Sequence, residues 1–200
     1  MASHGTQLLG PRPLEETGPL KLRAFFGLPV PPTRREPLSR YLEACASIAP
    51  NFRWVPPANL HLTVRFIGAV ERDLVDGIAE SLAAQGLPGF ELELGDIGTF
   101  RRGRLVRVVW MGLRSGALQA SELAERLEAA CGRAGLAPES RPFQPHLTLA
   151  RARDRDGGLL PVLPEAPHIE SWHAQELVLY QSRLGRAGAL YEPLRVLRLD

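Results

Sequence analysis

The chain has 200 residues, of which 44% are hydrophobic and 23% are charged, and its formal net charge at pH 7 is +2. This composition is typical of a globular protein and excludes the polycationic surface of a protein that wraps nucleic acid. Arginine supplies 23 of the 24 cationic side chains. A GC-rich genome explains such a bias, although guanidinium groups also bind phosphate in a planar, two-pronged way.

The termini and cysteines indicate a cytoplasmic protein. Cys45 and Cys131 have neither a paired spacing nor the density of a disulfide scaffold, which predicts reduced thiols. No stretch approaches the roughly 18–20 apolar residues of a membrane span, and residues 1–20 lack the pattern of a signal peptide. We predict a flexible leader over 1–20 and a single bilobal domain over 21–200, acting as a monomer without a membrane partner.

The first half of the chain alternates strands and helices. An aromatic-rich run at 22–30 ends at prolines and predicts a strand. Apolar residues at helical spacing predict an amphipathic helix over 33–48. Strands are predicted at 52–55 and 60–68, separated by a Pro-Pro-Ala-Asn breaker. The apolar face of a second helix then comprises Leu74, Val75, Ile78 and Leu82.

The second half repeats this mixture. Residues 90–100 and 104–113 alternate and are joined by a short turn, which predicts a hairpin. Ser115 is predicted to cap a third helix. A strand follows at 145–151, and after a Pro/Gly-rich loop the last strands are predicted at 172–183 and 190–198.

The order helix, proline-containing loop, strand occurs in both halves with an offset of 85 residues. This period is too long for a solenoid and suits two lobes related by a pseudo-twofold axis. Hairpins mixed with separate helices predict an α+β fold with mainly antiparallel sheets and helices packed outside.

A His-Leu-Thr motif begins the equivalent predicted strand in each half of the chain, at residues 61–63 and 146–148. Successive side chains of a strand point to opposite faces, so His61 and Thr63 share a face, as do His146 and Thr148. If the strands are neighbours, two imidazoles and two hydroxyls converge on one cleft. The repetition favours a functional site over structural histidines.

Two imidazoles that face one substrate suit in-line displacement at phosphorus. One accepts a proton from the attacking water or hydroxyl, and the other donates a proton to the departing oxygen. Threonine hydroxyls can donate hydrogen bonds to the non-bridging oxygens, and β-branching keeps their rotamers stiff. This scheme predicts an enzyme that needs no metal and no cofactor.

A zinc site is the other chemistry for paired histidines, and it requires a third protein ligand. The remaining histidines are His4 in the leader, His168 in a loop and His173 at a strand start. None has a recognisable ligand spacing, which argues against zinc.

The paired motifs resemble the tandem His-x-Thr-x signature of the two-histidine (2H) phosphoesterases. The flanking segments narrow the resemblance to the RNA 2',3'-cyclic phosphodiesterases, also named 2'-5' RNA ligases. These segments are "LRAFFGLPVP", "WVPPANLHLTVRFIGAV", "SRPFQPHLTLAR" and "LVLYQSRLGRAGALYEPL". The match runs from about residue 22 to residue 197, and it implies a bilobal body with the active-site groove between the lobes.

The resemblance implies hydrolysis of an RNA-terminal or nucleoside 2',3'-cyclic phosphate to a 2'-phosphate, with reversible 2'-5' RNA ligation. The partners would be RNA ends and nucleoside 2',3'-cyclic phosphates. His61 would protonate the leaving 3'-oxygen, His146 would activate the water, and Thr63 and Thr148 would hold phosphate oxygens. The residues alone are symmetric about this division of roles.

Two arginines near the motifs are candidates for binding the phosphate. Arg151 matches an arginine of the family, yet its odd offset from His146 would put it on the opposite face of a regular strand. It reaches the groove if the strand ends or bulges first, or if its side chain turns back. Arg65 shares the face of His61 by the same parity and has weaker support from the family.

Other residues are candidates of lower weight. Phe26, or its neighbour Phe25, could stack on a base, although core packing is the default for both. Four arginines at 101–107 could steer an RNA backbone or simply be solvated. Trp54, Trp110 and Trp172 are predicted to be core or lobe-interface residues.

Two other functions stay open. One is a phosphodiesterase for 2'-5' linked oligonucleotides or small cyclic nucleotides. The other is a non-catalytic module that binds RNA ends. Intact histidines and threonines in both motifs argue against the module, because a binder needs no pair of proton-transfer groups.

Overall fold

The computed structural model describes residues 21–185 and 188–200, so the predicted leader at 1–20 lies outside the described residues. The strands are β1 (Leu22–Pro29), β2 (Phe52–Trp54), β3 (His61–Val70), β4 (Phe90–Arg102), β5 (Leu105–Ser115), β6 (Leu147–Ala152), β7 (Trp172–Ala174), β8 (Glu176–Gly185) and β9 (Gly188–Arg198). The helices are α1 (Pro32–Ile48), α2 (Arg72–Ala83) and α3 (Ala117–Arg133).

The strands pair in the order β7-β4-β5-β6-β3-β1-β8-β9, and β2 pairs in addition with β6. Every pairing between these strands is antiparallel. The path divides at its centre into two halves of four strands, with the motif strands β3 and β6 side by side. The predicted α+β fold with antiparallel strands is therefore confirmed.

The central junction between the two halves is short. Strands β3 and β6 pair at Leu62 and Leu147, the middle residues of the two motifs. Beyond this point β2 takes over as the neighbour of β6, pairing with its residues 150–152. The two motifs thus meet where the two halves of the sheet join.

The predicted strand at 172–183 is in fact two strands with different partners. β7 pairs with β4 in one half of the sheet, whereas β8 pairs with β1 in the other half. A single residue, Gln175, separates them. Gln175 and Glu176 are consecutive exposed polar residues that interrupt the alternation, so the sequence carries a local sign of the change of partner.

The far ends of the two halves also approach each other. The N–H of Gly89 donates to the C=O of Asp200, and the N–H of Asp200 donates to the C=O of Leu87, both at 2.8 Å. These bonds join the segment before β4 to the segment after β9. The two halves are thereby tied at a second place besides the central junction.

One core cluster contains buried residues from both halves of the sheet and from all three helices. The α1 face comprises Leu38, Tyr41, Leu42 and Cys45, as its spacing predicts. Helix α3 differs from the prediction at its start, because its N-cap is Gly116, not Ser115. Gly116 has φ 86°, a left-handed conformation that glycine adopts without steric cost. Among the described residues, no helix is both long and apolar enough to span a membrane.

Candidate active site

The register at the central junction brings the four motif side chains together. Leu62 faces Leu147, so one residue along each strand His61 lies opposite Thr148 and Thr63 lies opposite His146. Both leucines are buried in the core, whereas the four polar side chains lie half-buried on the opposite face. This face borders a solvent-open cleft of about 320 Å³, whose lining includes His61, Thr63, Thr148 and Arg151.

Backbone carbonyl groups hold the two imidazoles in equivalent positions. His61 Nδ1 lies 2.7 Å from the C=O of Asn59, and His146 Nδ1 lies 2.7 Å from the C=O of Gln144. Because a carbonyl accepts only, each Nδ1 carries a proton and each Nε2 stays available for proton transfer. The Thr63 hydroxyl donates to His61 Nε2 at 3.0 Å.

An aromatic cluster encloses His61. Its ring centroid lies 4.8 Å from that of Phe25, 5.9 Å from Tyr180 and 5.1 Å from Tyr191. Gly27 makes room for the imidazole, because a Cβ there would lie 3.0 Å from both His61 Cδ2 and the Leu62 carbonyl oxygen. The cluster therefore restricts His61 to one orientation.

His146 has fewer aromatic neighbours. Phe100 meets its ring edge-on with a centroid separation of 5.1 Å, and the Trp110 ring lies 6.0 Å away. Trp110 pairs with Thr148 across the strands and covers Gly98, where a Cβ would clash with the indole. Trp110 thus lies on the cleft face, which corrects its assignment to the core or lobe interface.

Burial lowers the pKa of both histidines below the ordinary value of 6.5. The pKa of His61 falls to about 4, because burial and the charges of Arg151 and His146 outweigh the Asn59 carbonyl, which raises it. Burial and Arg151 likewise lower the pKa of His146, against the opposing effect of Gln144. Both imidazoles are neutral at pH 7 in the ligand-free protein.

The pKa of His61 predicts a loss of stability between pH 6.5 and about 4. In this window the unfolded chain protonates the imidazole and the folded protein does not, so the unfolded state gains protons as the pH falls. The free energy of unfolding should drop by up to about 3 kcal/mol more in the wild type than in His61→Gln, which lacks the titration. Urea denaturation from about pH 7.5 to about pH 4 measures this difference. Parallel pH dependences of the two proteins would contradict the buried neutral imidazole.

A β-bulge brings Arg151 to the cleft. Thr148 pairs with Trp110 and Ala150 pairs with Val109, so Leu149 is an extra residue in β6. The extra residue reverses the alternation that follows it. Arg151 therefore returns to the face of Thr148 and lines the cleft. The sequence left three ways for Arg151 to reach the groove: an early strand end, a bulge, or a side chain that turns back. The structure shows the bulge.

The first motif has a bulge at the equivalent position. Thr63 pairs with Gly27 and Arg65 pairs with Phe26, so Val64 is the extra residue in β3. Phe66 consequently lies on the cleft face, where it lines the cleft and is 53% exposed. Phe66 is the structural counterpart of Arg151, so the two half-sites place an aromatic ring and a guanidinium at matching positions.

The same bulge turns Arg65 away from the cleft, and the prediction that it shares the face of His61 is wrong. Arg65 is 7% exposed. Its guanidinium forms ion pairs with Glu128 at 2.7 Å and Glu139 at 2.6 Å, and Nη2 donates to the Ala137 carbonyl at 2.7 Å. Arg65 thus ties β3 to α3 and to the segment that leads to the second motif.

Arg65→Met should lower the free energy of unfolding by about 2–4 kcal/mol, because it removes the buried partner of two carboxylates. Arg72→Met is the matched control, since it removes the exposed pair of Arg72 with Asp76 and should cost less than about 1 kcal/mol. Urea denaturation measures both. Equal stability of the two variants would contradict a structural role for Arg65.

Phe26 is also corrected as a site residue. It is fully buried in the core cluster, so it cannot stack on a base. Phe25 points the other way, and its ring packs beneath His61 with 1% exposure. Trp172 is buried and Trp54 packs against the core, as predicted.

Several cleft residues escape prediction from the sequence. Tyr191 lies on β9 and Asn59 in the turn before β3, yet both line the cleft beside Phe66. Phe66 could have been found by applying the parity rule with a bulge. Tyr191 carries no local signal, because a distant strand brings it to His61. Within residues 21–185 and 188–200, no group of three or more His, Cys, Asp or Glu side chains could hold a metal ion.

Two neighbouring strands that each carry a His-x-Thr motif on the same face of the sheet are the arrangement expected of a two-histidine phosphoesterase. Residues 34–186 match the family model described as the 2'-5' RNA ligase superfamily. The chain belongs to this superfamily.

Curated relatives and solved structures cover most of the chain. The RNA 2',3'-cyclic phosphodiesterase of Aeropyrum pernix is 33% identical over 161 residues, 78% of this chain and 92% of that protein. The Escherichia coli protein of the same name is 32% identical over 174 residues, 86% and 94% of the two chains. The crystal structure of E. coli LigT with 3'-AMP has a TM-score of 0.75 at 31% identity, covering 90% of this chain and 99% of that one.

Proposed function

We propose that this protein hydrolyses the 2',3'-cyclic phosphate at RNA ends, and on nucleosides, to a 2'-phosphate. The observation that carries the proposal is the pair of imidazoles on one face of the sheet, each anchored through Nδ1, with His61 lining the same cleft as Arg151. Curated relatives named RNA 2',3'-cyclic phosphodiesterase support the choice of substrate. Joining of RNA through a 2'-5' linkage is the same displacement with a 5'-hydroxyl in place of water as the nucleophile, and its reversal regenerates the cyclic phosphate.

In the proposed reaction a water molecule attacks phosphorus in line with the 3'-oxygen. His146 Nε2 takes a proton from the water as the new P–O bond forms, and His61 Nε2 gives a proton to the 3'-oxygen as its P–O bond breaks. The phosphate remains on the 2'-oxygen. Solvent then exchanges protons with the two imidazoles and restores their starting states.

Charge on the substrate prepares His61 for this role. Burial holds the imidazole neutral in the free protein, so the anionic phosphate must raise the pKa of His61 for it to act as an acid. Arg151 and the two threonine hydroxyls would bind the non-bridging oxygens and stabilise their charge in the transition state. The exposed ring of Phe66 beside Tyr191 offers a stacking surface for the terminal base.

The proposed working unit is one bilobal domain that acts as a monomer in the cytoplasm. Both half-sites come from a single chain, so a second copy is not needed to complete the cleft. The reduced state predicted for Cys45 and Cys131 agrees with this compartment, since both are buried free thiols.

The test is incubation of the protein in EDTA with an RNA that ends in a 2',3'-cyclic phosphate, followed by identification of the product. A 2'-phosphate product supports the proposal. Turnover confined to 2'-5' linked oligonucleotides or small cyclic nucleotides would assign the alternative phosphodiesterase. Binding without turnover would identify an RNA-end-binding module and refute the catalytic assignment.

A further inference from the structure

Two arginines stand side by side at the end of the cleft. Arg53 of β2 is the direct cross-strand partner of Arg151 of β6, so both side chains lie on one face. Directly opposed residues of antiparallel strands have Cα atoms about 4.5–5.5 Å apart. Arg53 is exposed, and its sequence neighbours Phe52 and Trp54 contribute to the core instead.

This arrangement is unfavourable without an anion. Like charges placed directly opposite on neighbouring strands repel each other. Within residues 21–185 and 188–200, neither Arg53 nor Arg151 has a carboxylate within 4.0 Å, and neither donates a side-chain hydrogen bond. By contrast, Arg102 of the β4–β5 hairpin forms an ion pair with Asp156. The Arg53–Arg151 pair therefore places two cations directly opposite each other without a neighbouring carboxylate.

The position of the Arg53–Arg151 pair indicates which ligand it could bind. His146 precedes the first residue of β6, and Arg151 lies near the end of the strand, where β2 replaces β3 as the neighbour. Arg151 lines the cleft together with His61, whereas Arg53 does not. A phosphate held by Arg151 at the reacting centre leaves Arg53 free for a second phosphate on the same molecule.

We propose that Arg53 binds the phosphodiester on the 5' side of the terminal nucleoside, and that it makes the site select RNA ends over mononucleotides. The inference rests on the proposed function, because it takes the reacting phosphate to be the one near Arg151. Arginine contacts to phosphate position a nucleic-acid chain independently of its sequence. The selection therefore concerns chain length and not the base.

The test compares adenosine 2',3'-cyclic phosphate, which has one phosphate, with a trinucleotide that ends in a 2',3'-cyclic phosphate. Arg53→Ala should raise KM for the trinucleotide about five- to twentyfold while changing KM for the mononucleotide less than twofold. The slope of log KM against log salt for the trinucleotide should fall by about 0.7, the value for one lost phosphate contact on a single strand.

Arg126→Ala is the matched control. Arg126 lies at an exposed position on α3, and its substitution removes the same charge as Arg53→Ala. It should leave both KM values and the salt slope as in the wild type. Thermal unfolding adds a second readout: loss of Arg53 relieves the repulsion at Arg151, so Tm should stay constant or rise, whereas loss of a structural arginine lowers it.

The outcomes separate the two proposals. If the wild type converts neither substrate, the proposed function fails. If it converts both and Arg53→Ala raises the two KM values equally, or leaves the trinucleotide KM and salt slope unchanged, the assignment of Arg53 fails and the catalytic proposal survives.

Discussion

Alanine at either His61 or His146 is expected to lower kcat/KM for a 2',3'-cyclic phosphate by about 10²–10⁴-fold, the usual contribution of general acid–base catalysis. Each imidazole is held through Nδ1 by one carbonyl, which leaves Nε2 available for proton transfer. Each single substitution removes one proton-transfer group, so the displacement loses its general base in one variant and its general acid in the other. Steady-state assays with the cyclic mononucleotide measure the loss, and circular dichroism checks the fold.

The double variant adds a sharper criterion. Groups that act in one step have non-additive effects, so the double alanine variant should be scarcely slower than the slower single variant. His173→Ala is the matched control, since His173 pairs with Glu91 on a strand at the far end of the sheet path from β3. Wild-type rates in either His61→Ala or His146→Ala would refute the paired mechanism.

Arg151→Gln is expected to lower kcat/KM by about 10–100-fold, because it removes charge-assisted hydrogen bonds to the reacting phosphate. Arg151→Lys should restore only part of the rate, since an ammonium group cannot bind two oxygens in one plane. Assays at saturating and limiting substrate separate effects on kcat from effects on KM. Arg155→Gln, in the exposed loop after β6, should behave like the wild type.

The pH dependence of Arg151→Gln tests its place beside the histidines. The Arg151 charge lowers the pKa of both His61 and His146, so its removal should raise both pKa values. The profile of kcat/KM against pH should therefore move towards higher pH in Arg151→Gln. A shift to lower pH, or a profile that does not move, would place Arg151 away from the imidazoles.

The two bulges explain why sequence parity failed for the arginines and succeeded for the motifs. His61 and Thr63 lie before the extra residue Val64, and His146 and Thr148 lie before Leu149, so alternation holds within each motif. Past the bulge the faces exchange. Sequence periodicity assumes a regular strand, whereas a bulge is set by pairing with a neighbouring strand that is distant in the sequence.

The sequence by itself determined the α+β class, the helical faces and the four polar groups of the two motifs, because these follow from local alternation and residue chemistry. The tertiary structure decided which other side chains complete the cleft. It turned Arg65 into a buried structural cation, brought Arg151 to the cleft, and placed Tyr191 beside His61. Each of these outcomes depends on strand register and partner choice, which long-range pairing sets and a local pattern does not encode.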